Sequence, residues 1–75
     1  FNPSTNVIFD LSESSNVTIS VFDVTGKLVE IIADEFLRAG KYKTEWNPGE
    51  VPSGIFICRI ETESYRNSIK MVFLK

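Results

Sequence analysis

Hydrophobic and polar residues alternate with a period of two along most of the chain, the spacing of side chains on a half-buried β-strand. Val7, Phe9 and Leu11 alternate with Asn6, Ile8 and Asp10, which predicts a strand with one buried face. Glu13-Ser14-Ser15-Asn16 is a polar turn. Val17, Ile19 and Val21 then alternate with Thr18 and Ser20 in a run rich in β-branched residues, which fit a pleated surface. Asp23-Val24-Thr25-Gly26 puts an aspartate at the start of a turn and a glycine where a positive φ is needed. Lys27 to Ile32 resumes as a strand, so residues 17–32 read as a hairpin.

Ala33 to Gly40 breaks the alternation. One helical turn stopped by Gly40 fits the residues, but it is far shorter than an independent helix requires, and the stretch reads as a loop between sheets. Lys41 to Trp46 alternates cleanly, with Tyr42, Thr44 and Trp46 on one face and Lys41, Lys43 and Glu45 on the other. Residues 47–54 hold two of the three prolines and two of the four glycines, which marks a long inter-strand loop. Ile55-Phe56-Ile57-Cys58 is apolar on both faces, as in an interior strand covered on both sides or lying centrally in a sandwich, and Arg59-Ile60-Glu61 restores alternation. Thr62 to Asn67 is a polar turn, and Ser68 to Lys75 is the last strand. About seven short strands, with turn signals roughly every ten residues, predict an all-β antiparallel sandwich and leave no room for βαβ units.

Composition narrows the function. At 75 residues the chain is one small domain near the lower limit for a free-standing core, although 43% hydrophobic content makes a core feasible. No histidine is present, which removes imidazole bases, His-containing triads and His metal ligands. A single cysteine allows neither an internal disulfide nor a Cys-rich zinc cluster, and leaves the redox compartment open. A net charge of −2 argues against nucleic-acid binding, which normally shows a basic face. The apolar runs are far shorter than the ~18 residues of a spanning helix. The sequence begins at Phe1 with neither Met nor a signal-peptide pattern, so it reads as a piece of a longer protein.

The side chains of chemically reactive types each have a simpler role. Asp10, Glu13, Asp23, Asp34 and Glu35 lack the Asp-x-Asp-x-Asp-Gly spacing of a calcium loop and read as solvated charges. Paired acid and base carboxylates need a cleft that a thin sandwich rarely supplies. Trp46 shares a face with Tyr42 and Thr44, opposite two lysines, and so belongs to the core rather than to a sugar-stacking platform; Tyr65 is freer for a surface contact. Cys58 lies in the most apolar run and reads as a small buried hydrophobe. Gly26, Gly40, Gly49 and Gly54 are dispersed among turns and build no phosphate-cradling loop. The predictions are therefore no enzyme activity, no cofactor, no metal, no nucleic acid and no small-molecule substrate.

The C-terminal stretch stands apart. Residues 64–75 contain Arg66, Lys70 and Lys75 and no acidic side chain, and Met71-Val72-Phe73-Leu74 is apolar on both faces before a terminal lysine. A last strand commonly lies at a sheet edge, where an apolar strand invites pairing with another chain and lysines oppose it.

Taken in order, these segments resemble the C-terminal sorting domain of type IX secretion system cargo. Phe1-Asn2-Pro3-Ser4-Thr5 is similar to its opening, and Val21-Phe22-Asp23-Val24-Thr25-Gly26-Lys27-Leu28-Val29 to its strand–glycine turn–strand hairpin. Ala39-Gly40 ahead of Tyr42 and Trp46 resembles its small residue-glycine segment. Ser53-Gly54-Ile55-Phe56 with Arg59-Ile60 resembles its Ser-Gly-aliphatic-aromatic motif followed by arginine. Lys70-Met71-Val72-Phe73-Leu74-Lys75 resembles its closing lysine-methionine-aliphatic-lysine motif. Two features depart from the family pattern: Cys58 stands where an aromatic is more usual, and the loop at 47–52 is short.

The resemblance implies an immunoglobulin-like antiparallel sandwich, residues 1–75, that ends a larger secreted protein of Bacteroidetes-type bacteria. It implies a non-catalytic label for a covalently fused upstream cargo, which passes through the periplasm and the outer membrane to the cell surface or the medium. The implied partners are the outer-membrane translocon and an associated sortase that cleaves ahead of the domain. Lys70, Met71, Val72, Phe73, Leu74 and Lys75 become the recognition residues, and Gly26, Gly40, Ser53 and Gly54 shape turns. Two other readings compete: an accessory carbohydrate-binding or spacer module of a secreted hydrolase, which requires an exposed Trp46, and an assembly domain like those of flagellar hook-capping proteins.

Overall fold

The computed structural model describes residues 5–47 and 51–74. Six strands follow one another: β1 (Thr5–Leu11), β2 (Ser15–Asp23), β3 (Leu28–Leu37), β4 (Gly40–Trp46), β5 (Gly54–Glu61) and β6 (Arg66–Phe73). They form two antiparallel sheets, a two-stranded one of β1 and β4 and a four-stranded one in the order β3-β2-β5-β6. The antiparallel sandwich is thus as the alternation predicts, with six strands among the described residues rather than about seven.

The inward positions are those of the period-two reading. Val7, Phe9, Leu11 and Trp46 from the small sheet face Val17, Ile19 and Val21 of β2, Phe56, Cys58 and Ile60 of β5, and Met71 and Phe73 of β6. Trp46 is 1% exposed and meets Phe56 edge-on, with ring centroids 5.3 Å apart, while Phe73 lies 5.8 Å from it and 6.4 Å from Phe56. Offset and edge-to-face aromatic contacts of this kind stabilise beyond the area they bury, by about 0.5–1.5 kcal/mol per pair. The indole Nε1–H donates to Glu30 Oε1 at 3.0 Å, so burying the ring leaves no unpaired donor. Phe9 stacks on Tyr42 at 5.4 Å and extends the core along the sandwich.

One element departs from the sequence reading. Ala33 to Leu37, expected as loop, continues β3 and pairs with Ser15–Ile19 of β2. The cause is a pair of register shifts, which leave Val29 and Ile32 as extra residues opposite β2. Leu28, Ile31, Asp34 and Phe36 consequently share one face through their β2 partners Phe22, Ser20, Thr18 and Asn16, at spacings of three, three and two. Such spacing disguises a bulged strand. A smaller shift affects the last turn, where Arg66 and Asn67 already belong to β6, opposite Glu61 and Ile60.

Side-chain bonds tie the far end of the sandwich together. Glu63 N–H donates to Ser15 Oγ at 3.1 Å, Asn16 donates to Glu63 Oε2 through both its backbone N–H and its amide, and Tyr65 Oη–H donates to the Asp10 carbonyl. Tyr65, singled out as free for a surface contact, therefore fastens the β5–β6 turn to β1.

Candidate functional site

β6 occupies an edge of the four-stranded sheet, paired with β5 along one unbroken register from Gly54↔Phe73 to Glu61↔Arg66. Alternation divides the closing segment into two sets. Met71 and Phe73 point inward and are buried with Trp46 and Phe56. Lys70 and Val72 point outward, and Leu74 follows them; Val72 is 61% exposed and Leu74 68%. In the folded domain Met71 and Phe73 hold the strand, while Lys70, Val72 and Leu74 are displayed on it. Lys75, the sixth member of the motif, lies outside the described residues, as do Phe1-Asn2-Pro3-Ser4 and residues 48–50 of the predicted loop.

The opposite edge of this sheet is built differently. β3 carries both bulges and presents Glu30, Asp34 and Glu35 along its length, devices that discourage strand pairing. β6 has neither a bulge nor an acidic residue.

The turn residues separate into two kinds. In the β2–β3 hairpin, Asp23 N–H donates to the Lys27 carbonyl and Gly26 N–H to the Asp23 carbonyl, both at 3.0 Å, and Gly26 adopts φ +89°. This is a three-residue connection that needs its left-handed glycine. Asp23 Oδ1 accepts from Thr25 Oγ1 at 2.6 Å, Thr25 N–H at 2.9 Å and Lys27 N–H at 3.1 Å. Chiefly the Thr25 hydroxyl, then the Lys27 amide, hold its carboxyl below the ordinary value of 3.8. Gly40 opens β4 at φ +149°, a conformation side chains rarely adopt. Gly54, by contrast, has no positive φ and open space where a Cβ would stand, so its place after Ser53 at the start of β5 does not demand glycine.

Cys58 is fully buried, and burial pushes its thiol above the ordinary value of 9.0, away from nucleophilic chemistry. Among the described residues, no group of three or more Cys, Asp or Glu side chains is placed to hold a metal ion. Burial of Trp46 removes the exposed ring on which the carbohydrate-binding alternative depends.

The sequence model of the secretion system C-terminal sorting domain matches residues 2–74, essentially the whole chain. The chain belongs to that family. The family is that of type IX secretion signals, so the domain marks cargo for export through that system to the outer membrane or the extracellular space. No curated protein and no solved structure matches the chain.

Sequence reasoning overlooked one arrangement on this sorting domain. Arg59 of β5 projects from the outer face, with its guanidinium 4.7 Å from the Phe22 ring centroid of β2. Both residues lie out of phase with the core positions of their strands. That phase was legible, but their cross-strand adjacency is set by the β2–β5 register and was not.

Proposed function

We propose that the chain is a single non-catalytic sorting domain closing a larger secreted protein, and that the type IX outer-membrane translocon reads it through β6. The observation that carries this reading is the two-sidedness of the closing strand: an edge strand pinned from within by Met71 and Phe73 and showing Lys70, Val72 and Leu74 outside. An exposed apolar pair beside a cation on a regular edge suits recognition by strand addition with side-chain contacts. In this mechanism Lys70 and Lys75 supply charge contacts, Val72 and Leu74 apolar contacts, and Met71 and Phe73 the rigidity that presents them. Gly26 and Gly40 shape the connections that hold the sheet, and Ser53-Gly54 leads into β5 at a position that does not demand glycine. After passage from the periplasm across the outer membrane, a sortase cleaves ahead of the domain and leaves the cargo released or anchored at the surface.

Deleting residues 70–75 would remove two core side chains together with the signal, so the decisive variants keep Met71 and Phe73. A reporter fused to the domain carrying Lys70→Glu, or Val72→Ser with Leu74→Ser, is expected to accumulate in the periplasm of a type IX-competent host while the domain stays folded. Export of these folded variants at the wild-type level rules the mechanism out.

A further inference from the structure

The outer face of the four-stranded sheet is not the uniformly polar surface of a solvent-facing layer. Across it runs the registered row Leu28–Phe22–Ile57–Lys70, and beside that the row Ile31–Ser20–Arg59–Ser68. Leu28, Ile31, Ile55 and Val72 on this face are each two-fifths or more exposed. Contiguous exposed apolar groups on a soluble domain mark an interaction site.

Within this face is a cavity of about 310 Å³ lined by Phe22, Val24, Ile57, Arg59 and Ser68, together with the Asp23–Gly26 turn. Arg59 forms one wall. Its Nε is buried without a hydrogen-bond partner, and its Nη2 lies 3.9 Å from Glu61 Oε1, too long for a hydrogen bond. The Glu61 carboxylate is instead engaged by Arg66 Nη2 at 3.0 Å. Asp23, the acid on the cavity rim, accepts three hydrogen bonds from its own turn. A guanidinium is a planar array of five donors suited to bidentate carboxylate contact. Here it is held over an aromatic ring and, among the described residues, has only the 3.9 Å ion pair with Glu61 and no bidentate carboxylate, and Lys70, on the next strand, adds positive charge without neutralising it.

We propose that this face docks an extended acidic segment of a second polypeptide, one carboxylate pairing with Arg59 and a neighbouring aliphatic side chain entering the cavity against Phe22 and Ile57. The inference rests on the sorting-signal reading, and assigns the export machinery a contact across the face of β5 and β6 in addition to the β6 edge. The cavity is at the lower limit of small-molecule sites and open to solvent, which suits side chains of a docked segment better than an enclosed ligand.

The test is a nitrogen-detected NMR titration of the intact chain, following the Arg59 Nε–H signal, with the blocked peptide Leu-Glu-Leu-Glu-Leu and its glutamine twin. Saturable shifts at Arg59, Ile57 and Ser68 are expected with the glutamate peptide, and affinity at least about tenfold weaker with the glutamine peptide, the worth of one charge-assisted pair. Ser68 faces Arg59 across the β5–β6 register, so Ser68→Asp supplies an internal carboxylate and should abolish the shifts in a folded domain; Arg59→Gln should do the same. Equal binding of both peptides, equal shifts with glutarate alone, or the same shifts from raising protein concentration without peptide each overturn the proposal. In the reporter assay, export blocked by Lys70→Glu yet normal with Ser68→Asp overturns this inference and leaves the closing-strand reading standing. Normal export with both variants overturns both.

Discussion

Phe73→Ala and Val72→Ser alter adjacent residues of β6 and should differ sharply in what they cost the fold. Phe73 is buried, with its ring 5.8 Å from Trp46 and 6.4 Å from Phe56. Truncating such a side chain costs about 3–5 kcal/mol in lost transfer energy and cavity formation. A 75-residue domain has on the order of 4–11 kcal/mol of total stability, so the substitution removes a large share of it. Taking the lower figure of about 3 kcal/mol, Tm should fall by about 12–24 °C for a domain of this size. Val72 is 61% exposed, and replacing it gives up strand propensity and little packing, at most about 1 kcal/mol. The assay is thermal and urea unfolding followed by fluorescence of Trp46, the sole tryptophan and fully buried, which reports the same cluster. A Phe73→Ala loss under about 1 kcal/mol, or a Val72→Ser loss equal to that of Phe73→Ala, would refute the assignment of inner and outer faces on β6.

Three further outcomes follow from the turns and the core. Gly26→Ala should cost about 1–2 kcal/mol because φ is +89°, whereas Gly54→Ala should be neutral or mildly stabilising, both read by urea midpoints. Since the folded-state pKa of Asp23 is depressed, its contribution is fully present above the unfolded value and is lost as pH falls through the lower folded value. Asp23→Asn should therefore flatten the acid limb of the stability profile below about pH 4, and an unchanged limb would show that the turn contacts are not the cause. Cys58 should resist iodoacetamide at pH 8 in the native domain and react rapidly in urea, whereas fast native labelling would contradict its burial.

Alternation predicts β1, β2 and β4 and their inward faces because each keeps one face on the core, and a period of two survives wherever the register is unbroken. The first half of β3 was read as a strand, but its continuation through Ala33–Leu37 was hidden because two bulged residues, Val29 and Ile32, reset the phase twice in ten residues. The double-sided apolar run at Ile55–Cys58 is that of a central strand, β5, flanked by β2 and β6, but its outer side is not covered by another layer: Ile55 remains exposed. The closing segment could be read as apolar on both faces without showing which face served the core; the pairing of Met71 with Phe56 decides that. The Arg59–Phe22 contact was beyond reach for a simpler reason: the two residues are 37 positions apart, and their proximity depends on the register between strands.

The central claim is that the outward side chains of β6 carry the sorting signal while the inward ones carry the fold. Its most direct test compares export of a reporter fused to the wild-type domain and to the Lys70→Glu domain, with unfolding midpoints measured on the same proteins. The account predicts unchanged midpoints and periplasmic retention of the Lys70→Glu fusion. Wild-type export of a folded Lys70→Glu fusion would contradict it.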